Sequence, residues 1–283
     1  FTEPWLGGKK PVQFSTQLSQ TKQFLYNPVT RNADKTRSFN ISGISVGLAK
    51  RLSVPDDYFT LSQAISFQYY DLNNYNTGLF TFGNGSSNNL AYTLGLSRNN
   101  TYTDPIYPTG GSSFSFSAKF TFPYSSVNNV DYSALKTERQ DLVNQLTTDP
   151  SNTSASERIA VIDQEKFRWL EYYKFKFKGE WYTALTKKLV LKPTFEFGFL
   201  GAYNNDRGIV PFERFFLGGD GLGTYSLDGR ETIALRGYPN QSLSSQDGGS
   251  IYNKYSLELR YPISLGQQAK VYALAFMEGG YSF

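Results

Sequence analysis

SSFSFSAKFTFP, residues 112–123, is the stretch that decides the fold class. Phe114, Phe116, Ala118, Phe120 and Phe122 fall on one side of an extended chain, and Ser113, Ser115, Ser117, Lys119 and Thr121 on the other, because successive side chains of a strand point to opposite faces. One face is greasy and one is wet. YKFKFKGEWYTAL (173–185) repeats the pattern, with Tyr173, Phe175, Phe177, Trp181 and Leu185 opposing Lys174, Lys176, Lys178 and Glu180. The same phase runs through Val12/Phe14/Leu18, Ile44/Val46/Leu48, Phe59/Leu61/Ile65/Phe67/Tyr69, Leu90/Tyr92/Leu94/Leu96, Leu189/Leu191/Phe195/Phe197/Phe199 and Tyr255/Leu257/Leu259/Tyr261/Ile263. A weaker version spans Val271 to Phe283, which makes nine strands.

Between them, short connections (53–57, 104–111, 186–188, 264–268) alternate with long ones (27–36, 76–88, 125–166, 204–250). A transmembrane β-barrel gives this alternation, with tight turns on one side of the bilayer and long loops on the other. A soluble β-sandwich has no reason to keep it. Charged residues at mid-strand on the wet faces, among them Lys192, Glu196, Lys254, Glu258 and Arg260, suit a polar lumen and a solvated sheet equally. Trp5, Tyr69, Tyr92, Tyr124, Trp181 and Tyr261 lie near strand ends, where interfacial aromatic girdles form.

Composition points the same way. Aromatic residues make up 17% of the 283, with 21 Tyr and 23 Phe, yet the mean hydropathy is −0.43. A soluble core usually draws on Leu, Ile and Val, whereas aromatic chains of low mean hydropathy are characteristic of outer-membrane barrels. With no Cys and no His, thiol chemistry, Cys/His zinc sites and histidine-based triads are excluded. The net charge of +4 is spread along the chain, so no nucleic-acid footprint is indicated. No apolar run approaches the roughly 18 residues of a helical span, and FTEPWLGGKKP at the start holds no signal-peptide hydrophobic region.

One segment breaks the β pattern. Residues 131–166 form two helix-like pieces, about 131–147 and 155–166, with Ser133 as the capping residue and DPSNTS (149–154) as the break. They read as a helical insert in a loop. No catalytic constellation emerges, and no cofactor is called for. GGDGLGTYSLDG (218–229) has Gly-x-Gly spacing but neither follows a βαβ strand nor opens a helix, so it does not read as dinucleotide-binding. DLNNYN (71–76) and NNDRG (204–208) resemble calcium ligands in composition only.

TIALRGYPNQSL (232–243) is anomalous for a solvated loop, because Arg236 is held between Leu235 and Gly237-Tyr238 with Pro239 directly after. The wider run 211–241 resembles the sixth-loop region of the BamA family of outer-membrane protein insertases. That family sits in a superfamily with two-partner secretion and organelle translocase branches. In the family a Val/Leu-Arg-Gly-Phe/Tyr tetrapeptide at the tip of the loop folds back into the lumen, and Leu235, Arg236, Gly237 and Tyr238 match it. A Phe-x-Asp-x-Gly motif supplies the acid that meets the arginine. Here it becomes Phe276, Glu278 and Gly280, with Glu for Asp and one methylene more reach. DPIYPTGGSSFSFSAKF (104–120) is similar to the family's turn before its ninth strand, and residues 168–185 resemble the Bacteroidota version.

The resemblance implies an all-β, transmembrane antiparallel barrel domain across 1–283, holding about strands 5–13 of sixteen, with a helical insert at 131–166 and a lumen-folded loop at 204–250. On that alignment the chain is an incomplete barrel, although the final YSF resembles the aromatic C-terminus of many outer-membrane proteins. It further implies residence in the bacterial outer membrane and a role, without enzymatic chemistry, in folding and inserting nascent outer-membrane proteins. Those nascent proteins, accessory assembly lipoproteins and outer-membrane lipids would be the partners. A two-partner secretion pore, a passive porin or transporter barrel, and a soluble glycan-binding β-protein are the alternatives. Arg236 is expected inside the sheet's concave face against Glu278, with Leu235 and Tyr238 packed beside it.

Overall fold

A computed structural model describes residues 1–8, 11–27, 29–75, 82–101, 104, 106–219, 230–245, 247–266 and 268–283. A short β1 (Thr2–Glu3) precedes β2 (Val12–Asn27), β3 (Asn32–Arg51), β4 (Phe59–Asn73), β5 (Gly85–Asn99), β6 (Gly110–Thr121), β7 (Tyr173–Ala184) and β8 (Val190–Gly201). Two three-residue strands, β9 (Phe215–Leu217) and β10 (Glu231–Ile233), come next, followed by β11 (Ile251–Leu265) and β12 (Lys270–Ser282). The nine expected strands are all present, and β1 adds a tenth to one antiparallel sheet of order β1-β2-β3-β4-β5-β6-β7-β8-β11-β12. Among the described residues β1 and β12 do not pair, so the sheet is an open barrel wall rather than a closed one.

The expected faces hold across neighbouring strands. Phe116 pairs with Phe177 and Leu96 on the outer side, while Lys119 pairs with Lys174 on the inner side. Stacked outer-face rings such as Phe116–Phe175 and Phe177–Phe195 bind adjacent strands through aromatic contacts. Leu18, Ile44, Val46, Ile65, Leu257 and Ile263 on this face are all more than two-fifths exposed. So much open aliphatic surface is a liability in water and the normal condition of a surface facing lipid.

The strand ends depart furthest from the sequence reading at residues 27–36. Residues 27–36 are not a long connection: β2 and β3 run on until Asn27 pairs with Asn32. Polar residues such as Asn27 and Asp34 obscured the extension, but beyond the bilayer a hairpin needs no greasy face. The remaining long connections, 74–84, 122–172 and 202–250, emerge at the same end of the sheet as that hairpin. In the DLNNYN run, Asn76 lies outside the described residues, as does Pro105 in the turn before β6 and Gln267 in the turn before β12.

The insert consists of α1 (Tyr132–Thr148) and α2 (Thr153–Phe167). The N-cap of α1 is Asp131, not Ser133: the Asp131 carboxylate accepts hydrogen bonds from the Ser133 and Ala134 backbone N–H groups. A carboxylate caps well and complements the positive end of the helix dipole. The helices join through Arg139–Asp163 and Arg158–Glu138, each with two hydrogen bonds. The insert docks through a buried pair that sequence reading did not identify. Arg207 reaches Glu171 at 2.6 Å with both side chains almost fully enclosed, and Arg207 also donates to the carbonyls of Lys166 and Trp169. Glu171 is completed by the backbone N–H and hydroxyl of Ser125.

Breaking a buried pair strands the remaining charge, at a cost of about 3–5 kcal/mol. Arg207→Ala is therefore expected to undock both helices together, seen as raised hydrogen exchange across 132–167 with β2–β4 unchanged. Unaltered exchange in the helices would show that the pair does not hold them.

Candidate functional site: a lumen loop held by opposite charges

The segment 202–250 turns back against the inner face of the sheet. β9 and β10 lie parallel to one another, with Phe215 opposite Glu231 and Leu217 opposite Ile233. Residues 220–229, most of the glycine-rich run, lie outside the described residues. Phe212, Phe215, Phe216, Leu217, Ile233 and Leu235 are all buried. They join a core with Tyr70 and Leu72 of β4, Leu200 of β8 and Tyr252 of β11. Tyr252 meets Phe215 edge to face at 4.7 Å. The inner face is thus wet at mid-strand and apolar toward the long-loop end. Tyr70 and Leu72 reveal the change in the sequence, because they are large apolar residues on the wet side of their strand.

Charge fixes the loop at two stations of opposite sign. On β6 and β7, Lys119, Lys174 and Lys176 line the inner face, and like charges so placed repel one another. Glu213, from the loop, accepts hydrogen bonds from Lys119 (3.0 Å), Lys174 (3.1 Å) and the Tyr172 hydroxyl (2.7 Å). Glu231 reaches Lys174 at 2.7 Å and Lys176 at 2.9 Å. Burial alone would raise the Glu213 carboxyl pKa, but the Lys119 and Lys174 ammonium groups reverse that and hold it well below the ordinary carboxylate range. Neither loop acid was identified from sequence. The signal available was the KFKFK run, whose lysines share one strand face and require counter-charge.

At the second station the signs invert. Glu258 on β11 and Glu278 on β12 face inward near one another, and Arg236 lies between them. Its Nε donates to Glu278 at 2.9 Å and its Nη2 to Glu278 at 2.5 Å and to Glu258 at 2.7 Å. The Arg236 backbone N–H donates to the other Glu278 oxygen at 2.9 Å. One carboxylate thus binds both the side chain and the backbone of the same residue, which sets the direction of the loop as well as its position. The guanidinium rests 3.7 Å from the centre of the Phe276 ring, a cation–π contact. Arg260 pairs with Glu258 at 2.6 Å and completes an alternating row of charges.

The structure therefore brings Arg236, Glu278 and Phe276 together and adds Glu258. Leu235 is buried and paired with Gly219. Gly280 permits a close approach: a Cβ there would lie 2.7 Å from the Asn253 carbonyl and 3.4 Å from Leu217. Gly237 has φ of +88°, a conformation glycine adopts without steric cost. Tyr238 departs from expectation. It is 46% exposed, because the left-handed turn at Gly237 directs the chain away from the wall immediately after Arg236.

Arg236→Ala would leave Glu278 without its partner, while Glu258 keeps Arg260, and because Arg236 is itself 31% exposed the expected cost is about 2–3 kcal/mol, below that of a fully enclosed pair. Faster proteolysis within 230–245 checks it. Exchanging the charges, Arg236→Glu with Glu278→Arg, is expected to restore little, because the new glutamate would face Glu258; substantial recovery would remove Glu258 from the site. The Glu213 station is expected to persist in acid. Its stabilisation is complete above about pH 4.5, the ordinary value, and is lost only as pH falls through the depressed folded value. Proteolysis of 211–217 that rises between neutral pH and about 4.5 would contradict this.

Among solved structures, BamA from Haemophilus ducreyi lacking POTRA domains 1–3 matches with a TM-score of 0.63 at 17% identity, covering 100% of this chain and 48% of that one. CdiB from Escherichia coli matches with a TM-score of 0.48 at 11% identity, covering 95% of this chain and 39% of its own. The chain thus spans about half the length of the BamA structure, whose likeness shows the barrel fold. No curated protein matches the sequence. The model of the Omp85 superfamily domain matches residues 1–283, and the chain belongs to the Omp85 superfamily.

Proposed function

We propose that this domain is the barrel core of an outer-membrane protein assembly machine, folding and inserting nascent outer-membrane proteins together with accessory assembly lipoproteins. It would do so by strand pairing and local thinning of the outer membrane rather than by bond chemistry. The observation that carries this reading is the ion-paired loop inside the barrel wall. Glu213, Glu231 and Arg236 are each tied to opposite charges on the inner face, and an apolar core fills the long-loop end. Such an interior is a poor route for ions or soluble solutes, which argues against a passive porin. A secretion pore would have to dismantle these contacts at every transport event, whereas an insertase acts at the wall and can leave them in place.

The test is reconstitution of the full-length protein in liposomes with a urea-unfolded outer-membrane barrel as substrate. Folding is expected to be at least several-fold faster than in empty liposomes, and slower again with Arg236→Ala. Failure to accelerate folding, together with passage of a soluble passenger into the vesicles, would replace this reading with two-partner secretion.

A further inference from the structure

A cavity of about 340 Å³ lies between the helical insert and the base of the lumen loop. It has no part in anchoring the loop tip. Its wall carries Lys136, Arg139, Lys166, Arg207 and Arg214, against Asp163 and Asp247. Three of the cations are committed: Lys136 to Asp206, Arg139 to Asp163 and Arg207 to Glu171. Two are not. The Lys166 ammonium makes no hydrogen bond or ion pair with a described residue, although Lys166 is only 7% exposed. Arg214 likewise forms none, and its Nε is buried without an acceptor.

Because the Lys166 nitrogen is not itself enclosed, the ammonium faces the open space of the cavity, where an anion can reach it. Lys166 stands in the last turn of α2, where the helix dipole favours a cation, but a dipole does not supply acceptors for three N–H groups. The nearby α2 carbonyl, that of Lys166 itself, already accepts from Arg207. Burial, with Arg139, Lys136 and Arg207 close by, lowers the Lys166 pKa despite the opposing pull of Asp163. The surroundings are therefore short of negative charge. Asp247, the remaining lining acid, is exposed and forms no ion pair with a described residue.

We propose that this cavity binds a phosphate-bearing sugar, with Lys166 and Arg214 holding the phosphoryl oxygens and Phe167, Ile209 and Pro211 supporting the sugar. A phosphoryl group supplies several acceptors to two separate donors, and guanidinium and ammonium groups both suit it. The volume exceeds what a phosphate alone would fill, and the apolar part of the lining suits the face of a sugar ring. The cavity opens at the long-loop end of the barrel, so the sugar phosphate can belong to a glycolipid headgroup of the membrane or to a soluble molecule.

The experiment measures thermal unfolding of the full-length protein, wild type, Lys166→Met and Arg214→Gln. Glucosamine 1-phosphate is added in detergent, and lipid A is added in nanodiscs otherwise made of phosphatidylcholine. Ligand should raise the melting temperature of the wild type, and either substitution should weaken binding at least tenfold. A response to lipid A alone assigns the headgroup as the source, and a response to both probes assigns the soluble sugar phosphate as sufficient. No response to either probe, or equal responses in wild type and variants, would overturn the proposal.

Discussion

A charged loop can remain inside a barrel wall only if the wall presents the opposite charge where the loop arrives. Ordering some fifty residues of loop opposes folding through lost chain entropy, and apolar packing alone does not specify how deep the loop sits or which way it runs. Here the two stations where the loop meets the wall differ in sign. β6 and β7 present Lys119, Lys174 and Lys176, while β11 and β12 present Glu258 and Glu278. The loop carries the complement in the matching order, with Glu213 and Glu231 first and Arg236 after them. A loop shifted in register would set like charge against like.

The apolar core and the ion pairs support one another. Phe215, Phe216 and Leu217 exclude water from the upper lumen, which strengthens the electrostatic contacts at its edge. Those contacts in turn hold the aromatic residues against Tyr252 and Tyr70. The helical insert belongs to the same assembly through Arg207 and Glu171, so the two longest connections between wall strands are not independent surface excursions.

Much of this was legible from sequence. Period-two alternation located nine of the ten wall strands and their faces, because a lipid-facing surface favours apolar residues at alternate positions across the bilayer, and β1, two residues long, is too short to show the pattern. Arg236 and Glu278 were legible as a pair only through the family resemblance, since nothing local joins residues 42 positions apart. The acids Glu213 and Glu231 were not legible, because their partners lie on strands distant in sequence and a single loop glutamate resembles any solvated one. Strand limits at 27–36 were obscured where the chain leaves the hydrocarbon layer and the greasy face is no longer required. Tyr238 was misplaced because a motif gives residue types in order but not the direction the backbone takes after Gly237.

The most direct measurement of the central claim is hydrogen–deuterium exchange of the loop segment 230–236 in the full-length protein in lipid nanodiscs. If complementary charge holds the loop inside the wall, the Arg236 amide bonded to Glu278 and its neighbours should exchange about as slowly as the amides of β11. Exchange as fast as in the exposed link between α1 and α2, residues 149–152, would show that the loop is not anchored there.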